Sequence, residues 1–114
     1  MTLTIQRVSE SVSVAGQLAP ESMAEAAAAG FRSVINNRPD FEGGPTQPTS
    51  ASMETAARGA GLEYSFLPVA GNFQSEAEIA RFLELIHSMP SPVLAFCRSG
   101  ARSARLFQAA SSQA

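Results

Sequence analysis

The sequence has few of the residues that build disulfides and metal sites. Its 114 residues include one cysteine, Cys97, and one histidine, His87, and tryptophan is absent. One cysteine excludes an intramolecular disulfide, and one cysteine with one histidine is too few for a zinc site of the Cys/His type. Lysine is also missing, so all eight cationic side chains are arginines. We therefore expect no metal and no other cofactor.

Long apolar segments and an excess of positive charge are likewise absent. No segment approaches the roughly 20 apolar residues that cross a membrane, and residues 1–13 lack the basic and apolar regions of a signal peptide. The net charge of −2 gives no support to nucleic-acid binding. We expect a cytoplasmic protein without membrane or nucleic-acid partners, in a compartment where a lone thiol stays reduced. The length and the 45% hydrophobic content predict one domain over residues 1–114.

Hydrophobic patterning and turn residues predict alternating short strands and helices. The strand segments show alternation or short apolar runs with β-branched residues, and the helix segments show caps and a helical apolar period. The clearest helix signal is a capping box formed by Ser75 and Glu78. The predicted strands are residues 3–8, 12–15, 31–36, 64–69 and 93–96, and the predicted helices are residues 20–29, 50–60, 76–88 and a last one from residue 101.

The order of these elements predicts the fold class. After the first two strands, helices and strands alternate, which is typical of an α/β fold. We expect a single three-layer domain with a mostly parallel sheet and helices on both faces. Ligands in such folds bind beyond the carboxyl ends of the strands. Three loops, residues 36–44, 70–74 and 97–102, should therefore meet at this edge of the sheet.

The main candidate for chemistry is the stretch that joins the last strand to the last helix. Backbone N–H groups in such a loop point inward and the helix dipole adds positive potential, so the loop can hold an anion. A thiol held there ionises readily, and the thiolate is a nucleophile. We predict that Cys97 and Arg102 are catalytic. The residues predicted to bind the anion around them are Arg98, Ser99, Gly100, Ala101 and Ser103. The alternative is a buried structural cysteine at the end of a core strand.

Other polar residues of these loops have two interpretations each. Arg38 is a second anion clamp or a surface arginine, and Asp40 is a catalytic acid or a turn residue after Pro39. Arg98 steers anions or is simply solvated. Ser103 stabilises the thiolate or caps the last helix.

Two parts of the sequence resemble different enzyme families. Residues 97–103, a cysteine, four residues, an arginine and a serine, resemble the active-site loop of rhodanese-type sulfurtransferases. The element order and residues 34–40 and 64–69 are similar to the dual-specificity branch of the cysteine phosphatases. Together these features resemble, over nearly the whole chain, a small bacterial family named for the phosphatase-like domain of beta-lactamase-hydrolase-like proteins, also described as sulfurtransferases. The resemblance implies a cysteine-phosphatase-like fold, and it points to an iron-dependent persulfide dioxygenase as a partner.

Two departures from the phosphatase pattern favour sulfur chemistry. The phosphatases have five residues between cysteine and arginine, whereas this chain has four, and Ser103 stands at the phosphatase position of the arginine. A shorter loop suits a sulfur atom better than a tetrahedral phosphoryl group. The phosphatases also have an acidic aspartate after the strand that matches residues 64–69, where this chain has Gly71 and Asn72. Phosphoryl transfer normally needs such an acid for the leaving oxygen.

Our leading hypothesis from the sequence is therefore a cysteine-dependent sulfurtransferase. In this reaction Cys97 takes the outer sulfur of thiosulfate or of a persulfide and becomes a persulfide itself. The alternative with the same residues is a phosphatase that hydrolyses phosphomonoesters through a phosphocysteine. A third hypothesis is a non-catalytic anion-binding regulatory module, although such a module has no use for the thiol. The expected partner is a small anion: thiosulfate, a persulfide or a phosphate ester.

Overall fold

The computed structural model describes residues 4–113, and over this range the chain forms five strands and four helices. The strands are β1 (Ile5–Arg7), β2 (Val12–Ala15), β3 (Ser33–Asn36), β4 (Glu63–Phe66) and β5 (Val93–Phe96). The helices are α1 (Ser22–Ala28), α2 (Ser50–Gly59), α3 (Glu76–Ser88) and α4 (Ala101–Gln113). In the part of the chain described, no helix combines the length and the apolar content needed to span a bilayer.

The strands form one mixed sheet in the order β1-β2-β5-β3-β4, in which β1 is antiparallel to β2 and every other pair is parallel. Neighbouring residues of a strand point to opposite faces, so β5 contributes to two apolar clusters. Leu94 packs with Met53 and the rest of the cluster formed with α1 and α2. Ala95 packs with Phe82 and the cluster formed with α3 and α4. The predicted α/β class, with a mostly parallel sheet covered on both faces, is confirmed.

In the first half of the chain, the observed bounds of two elements differ from the predicted ones. β1 covers Ile5–Arg7 rather than residues 3–8, of which residue 3 lies outside the described residues. The strand stops there because the N–H of Val8 already donates to the Val12 carbonyl (3.0 Å) in the turn to β2. α1 begins at Ser22 rather than at residue 20, because the N–H of Ser22 donates to the Ala19 carbonyl (2.9 Å) in a separate turn.

Two predicted strands are longer than the observed ones. β3 begins at Ser33, because the N–H of Phe31 donates to the Ala26 carbonyl of α1 (3.1 Å) and is used up in the helix ending. β4 covers Glu63–Phe66 and does not continue to residue 69. The ladder ends there because the N–H of Arg38, which would continue it, donates to Asn36 Oδ1 (2.9 Å), and the N–H of Val69 donates out of register to the Asn37 carbonyl (3.0 Å).

The centre of the sheet fixes the start of the loop that follows β5. β5 lies between β2 and β3, so both neighbours bond to its carboxyl end. The N–H of Cys97 donates to the Ala15 carbonyl (3.2 Å), and the Phe96 carbonyl accepts from the N–H of Asn37 (2.8 Å). The backbone that carries the only cysteine is therefore anchored on two sides, at the sheet edge where parallel α/β folds bind ligands.

The predicted capping box starts α3. Ser75 Oγ accepts from the N–H of Glu78 (3.1 Å), and the Glu78 carboxylate accepts from the N–H of Ser75 (2.8 Å). We expect Ser75→Ala to lower the free energy of unfolding by about 1 kcal/mol, because a helix N–H group loses its acceptor. Denaturant titration measures this change. Ser88→Ala, at the exposed opposite end of the same helix, is the control, and equal losses in the two variants would contradict the assignment.

Candidate active site

Cys97 lies at the carboxyl end of β5 and is 1% exposed. The chain turns sharply after it, and the N–H of Gly100 donates to Cys97 Sγ over 3.1 Å. Gly100 has φ +93°, and a Cβ at this position would stand 3.3 Å from the backbone carbon of Ala15. Only glycine combines this left-handed conformation with such a close approach to the neighbouring strand. Gly100 therefore permits the turn that follows Cys97, and its predicted role in anion binding stays a prediction.

Ser103, in the first turn of α4, connects the thiol to the neighbouring strand. Its side chain is fully buried, and its Oγ lies 2.8 Å from Asn37 Oδ1. The Asn37 amide is oriented by the bond from its Nδ2 to the Leu67 carbonyl (3.0 Å), so Oδ1 is free to accept from Ser103. The backbone N–H and the hydroxyl of Ser103 are also within hydrogen-bond reach of Cys97. Because a hydroxyl has one proton, Ser103 donates it to Asn37 or to the thiolate, and a charged sulfur attracts it more strongly.

The pKa of the Cys97 thiol is lowered, although burial acts in the opposite direction. Burial is the largest single influence and raises the pKa by penalising the thiolate. It is outweighed by hydrogen bonds to sulfur from the backbone and hydroxyl of Ser103 and from the backbone of Ser99 and Gly100. A structural cysteine in an apolar core has no such donors. This arrangement fits a stabilised thiolate better than core packing.

Arg102 lies in the first turn of α4 and is 7% exposed. Its Nη1 donates to the Val69 carbonyl (3.0 Å) and its Nη2 donates to Glu42 Oε1 (3.0 Å). Its Nε is buried and has no hydrogen-bond partner among residues 4–113. The loop after β4 covers the guanidinium closely, since a Cβ at Gly71 would stand 3.0 Å from Nη2. Gly71 is thus the residue that allows this loop to approach Arg102.

Glu42 is the site residue that the sequence analysis missed. Its Oε1 accepts from Arg102 Nη2 and also from Arg38 Nε, at 2.9 Å. Burial raises the pKa of this carboxyl. The hydrogen bonds and charges of Arg102 and Arg38 together lower it by more than burial raises it, so the pKa lies below its ordinary value. The four-residue spacing of Arg38 and Glu42 was the available signal. Such spacing is informative in a helix, and these residues lie in a loop.

Arg38 is a buried residue of the site. It is 9% exposed, so the interpretation as a surface arginine is wrong. Its backbone N–H donates to Asn36 Oδ1 (2.9 Å), and its Nη1 donates to Gln17 Oε1 (3.1 Å). These bonds hold its guanidinium beside Glu42. Its predicted role as an anion clamp stays a prediction.

Asp40 has a different environment from Glu42. Its Oδ1 accepts from the N–H of Ser50 (2.7 Å) at the beginning of α2, where a negative charge is favourable. This contact explains the residue as a helix and turn anchor. Asp40 is not among the residues that line the arginine-rich cavity next to Arg102. A catalytic role for Asp40 stays a prediction.

The three predicted loops do meet at one edge of the sheet. A cavity of about 520 Å³ opens there, lined by Arg38, Glu42, Gly43, Arg98 and Arg102. The exposed Arg98 belongs to this lining, whereas Ser99 and Ala101 are exposed and line a different cavity. A second cavity of about 400 Å³, on the side of β1 and β2, contains none of these arginines. Three arginines against one glutamate make the first cavity positive within an acidic protein.

Among the described residues, no three His, Cys, Asp or Glu side chains come together as metal ligands. The groups that this arrangement offers for chemistry are the thiol, the inward N–H groups and the arginines. Cys97 and Arg102 belong to the same 97–103 loop, and Arg102 lines the positive cavity, although Cys97 itself is not among the lining residues. Attack of sulfur on an electron-poor centre of a bound anion is what such a set can perform.

Comparison with solved structures finds the same fold in two bacterial proteins. A candidate phosphatase of Neisseria meningitidis superposes with a TM-score of 0.84 and 30% identity, over 90% of this chain and 72% of that one. A second candidate phosphatase, from Shewanella putrefaciens, has a TM-score of 0.76 and 18% identity, over 91% of this chain and 64% of that one. The second likeness concerns the fold alone. The predicted cysteine-phosphatase-like architecture is confirmed.

Comparison of sequences gives the family. The beta-lactamase hydrolase-like protein of Agrobacterium fabrum is 38% identical over 101 residues, which are 89% of this chain and 23% of that protein. This chain thus spans about a quarter of the length of the curated relative. The profile of a family described as the phosphatase-like domain of beta-lactamase hydrolase-like proteins matches residues 4–114. The chain belongs to this family of phosphatase-like domains.

Proposed function

We propose that this chain is a cysteine-based phosphatase that hydrolyses phosphomonoesters through a phosphocysteine on Cys97. The observation that carries the proposal is the set of donors around the buried sulfur, next to an arginine whose Nε has no hydrogen-bond partner in the described part of the chain. The family and the Neisseria relative support phosphate chemistry more than sulfur chemistry. The sulfurtransferase hypothesis from the sequence therefore becomes the second candidate.

The reaction follows from the residues in place. The Cys97 thiolate attacks phosphorus, an S–P bond forms, and the P–O bond to the leaving group breaks. The backbone N–H groups of the 97–103 loop and Arg102 hold the equatorial oxygens, where charge develops in the transition state. Water then attacks the phosphocysteine, the S–P bond breaks, and phosphate leaves while Cys97 returns to the thiolate.

The lack of a ready acid restricts the leaving group. Gly71 and Asn72 have no acidic side chain, and the Glu42 carboxyl is ionised because its pKa is lowered by Arg102 and Arg38. An alkoxide leaves poorly without a proton, whereas an aryloxide leaves without one. The proposed substrates are therefore aryl phosphates and other monoesters of acidic alcohols.

A specific observation keeps sulfur transfer as the second candidate. Four residues separate Cys97 from Arg102, the spacing of the rhodanese-like loop. In this reaction the thiolate attacks the outer sulfur of thiosulfate, the S–S bond breaks, and sulfite leaves with the bonding electrons. No leaving oxygen needs a proton. An assay with thiosulfate and cyanide, run beside the phosphate assay, separates the two reactions.

We expect Arg102→Lys to lower kcat/KM for an aryl phosphate by roughly 10- to 100-fold, since lysine keeps the charge but loses the planar pair of donors. Release of the phenolate, followed by absorbance, measures the effect. Arg81→Lys, on the exposed face of α3, is the matched control. Arg98→Ala should lose less than Arg102→Lys. Equal and small losses in all three variants would show that Arg102 does not hold the anion.

We expect Ser103→Ala to raise the pKa of Cys97, because the thiolate loses the hydroxyl as a donor. The rate of alkylation by iodoacetamide as a function of pH measures this pKa, since only the thiolate reacts. In the unchanged protein the midpoint should lie below the value of about 8.5 for a free cysteine. Ser111→Ala, exposed on the same helix, is the control. An unchanged midpoint in Ser103→Ala would show that the Ser103 hydroxyl does not stabilise the thiolate.

A further inference from the structure

Along one edge of the Arg102 guanidinium, one of the two hydrogen-bond donors is already bonded within the protein. Nε and Nη2 lie on the same edge of the guanidinium plane and together donate the paired bonds that an oxyanion accepts. Nε is buried without a partner among the described residues, whereas Nη2 is bonded to Glu42 Oε1. The edge that should receive two oxygens of a phosphoryl group is thus blocked at one of its two donors.

Glu42 is held at this position by charge and not by packing. One of its oxygens, Oε1, accepts from both Arg102 and Arg38, and its side chain is 28% exposed at the cavity. The preceding residue, Phe41, has φ +63° and is 65% exposed. A left-handed conformation is unfavourable for a bulky residue. Glu42 therefore follows a residue in an unfavourable conformation, within a solvent-exposed turn.

We propose that the Glu42 carboxylate competes with the substrate oxyanion for Arg102. Glu42 must release Arg102 before a substrate phosphoryl group can bind both Nε and Nη2. The proposal rests on the proposed function only in that Arg102 binds the anion. Replacement of the Glu42 carboxylate by a bound dianion at Arg102 is favourable, because the dianion then interacts with three arginines of the cavity, Arg38, Arg98 and Arg102. Exchange for a monoanion gains little, so Glu42 selects doubly charged terminal oxyanions.

The proposed competition predicts whether removal of the Glu42 charge strengthens or weakens anion binding. If Glu42 only positions Arg102, its neutralisation should weaken anion binding. If Glu42 competes for Arg102, its neutralisation should strengthen anion binding. Release of Glu42 beside a bound dianion also raises the pKa of its carboxyl, so anion binding should take up a proton at mildly acidic pH.

The charged groups around Glu42 define the background for this test. Arg38 faces it from the same loop, Arg102 from α4 and Arg98 from the loop after β5. The Cys97 thiol, which titrates itself, is best removed. Sulfate is a suitable probe because it stays a dianion over the whole range. The experiment is isothermal calorimetry of sulfate binding to Cys97→Ser, alone and combined with Glu42→Gln or with the control Glu54→Gln, an exposed residue paired with Arg58.

We expect Glu42→Gln to tighten sulfate binding by roughly tenfold at neutral pH, the value of one charge-assisted bond, while Glu54→Gln leaves it unchanged. Titration of Cys97→Ser in buffers of different ionisation enthalpy should show proton uptake, which persists in His87→Gln. This second readout needs no change at Glu42. Equal or weaker binding in Glu42→Gln, or no proton uptake, overturns the competition and leaves the phosphatase proposal intact. No sulfate binding in any variant overturns both, since Arg102 would then bind no anion.

Discussion

A buried thiolate is stable only where hydrogen-bond donors surround it, and the rest of the molecule positions these donors. Cys97 is 1% exposed, so its charge is tolerated only because N–H and O–H groups converge on sulfur. Their positions follow from the fold. β5 is the central strand, its end is bonded to β2 and β3, and the turn at Gly100 brings the start of α4 back toward the sulfur. A change in any of these elements would act on the reactivity of a single atom.

Much of this arrangement could be predicted from the sequence, because the signals are local. The capping box at Ser75 and the apolar run of β5 each depend on neighbouring residues, and both are observed. The meeting of three loops followed from topology alone. Element ends were less accurate, as at β4, where backbone bonds outside the ladder decide the boundary.

Glu42 could not be found in the same way. Its role depends on two arginines, one four residues before it and one sixty residues after it, which meet only in the fold. Asp40, the only aspartate, was the candidate acid in the sequence analysis. Its carboxylate instead accepts a hydrogen bond from the N–H of Ser50 at the start of α2. Loop length was also a weaker guide than expected. Arg102, one residue early by the phosphatase pattern, still lines the cavity, and Ser103 still reaches the thiol.

Phosphoryl and sulfur transfer share every residue of this site up to the covalent intermediate, so the intermediate is the most direct test of the proposed function. The measurement is intact-protein mass spectrometry after rapid acid quenching, with an aryl phosphate or thiosulfate as the substrate and Cys97→Ser as the control. The account predicts a phosphoryl adduct on Cys97 with the aryl phosphate and no adduct in Cys97→Ser. A sulfur adduct from thiosulfate, with no phosphoryl adduct from the aryl phosphate, would contradict it.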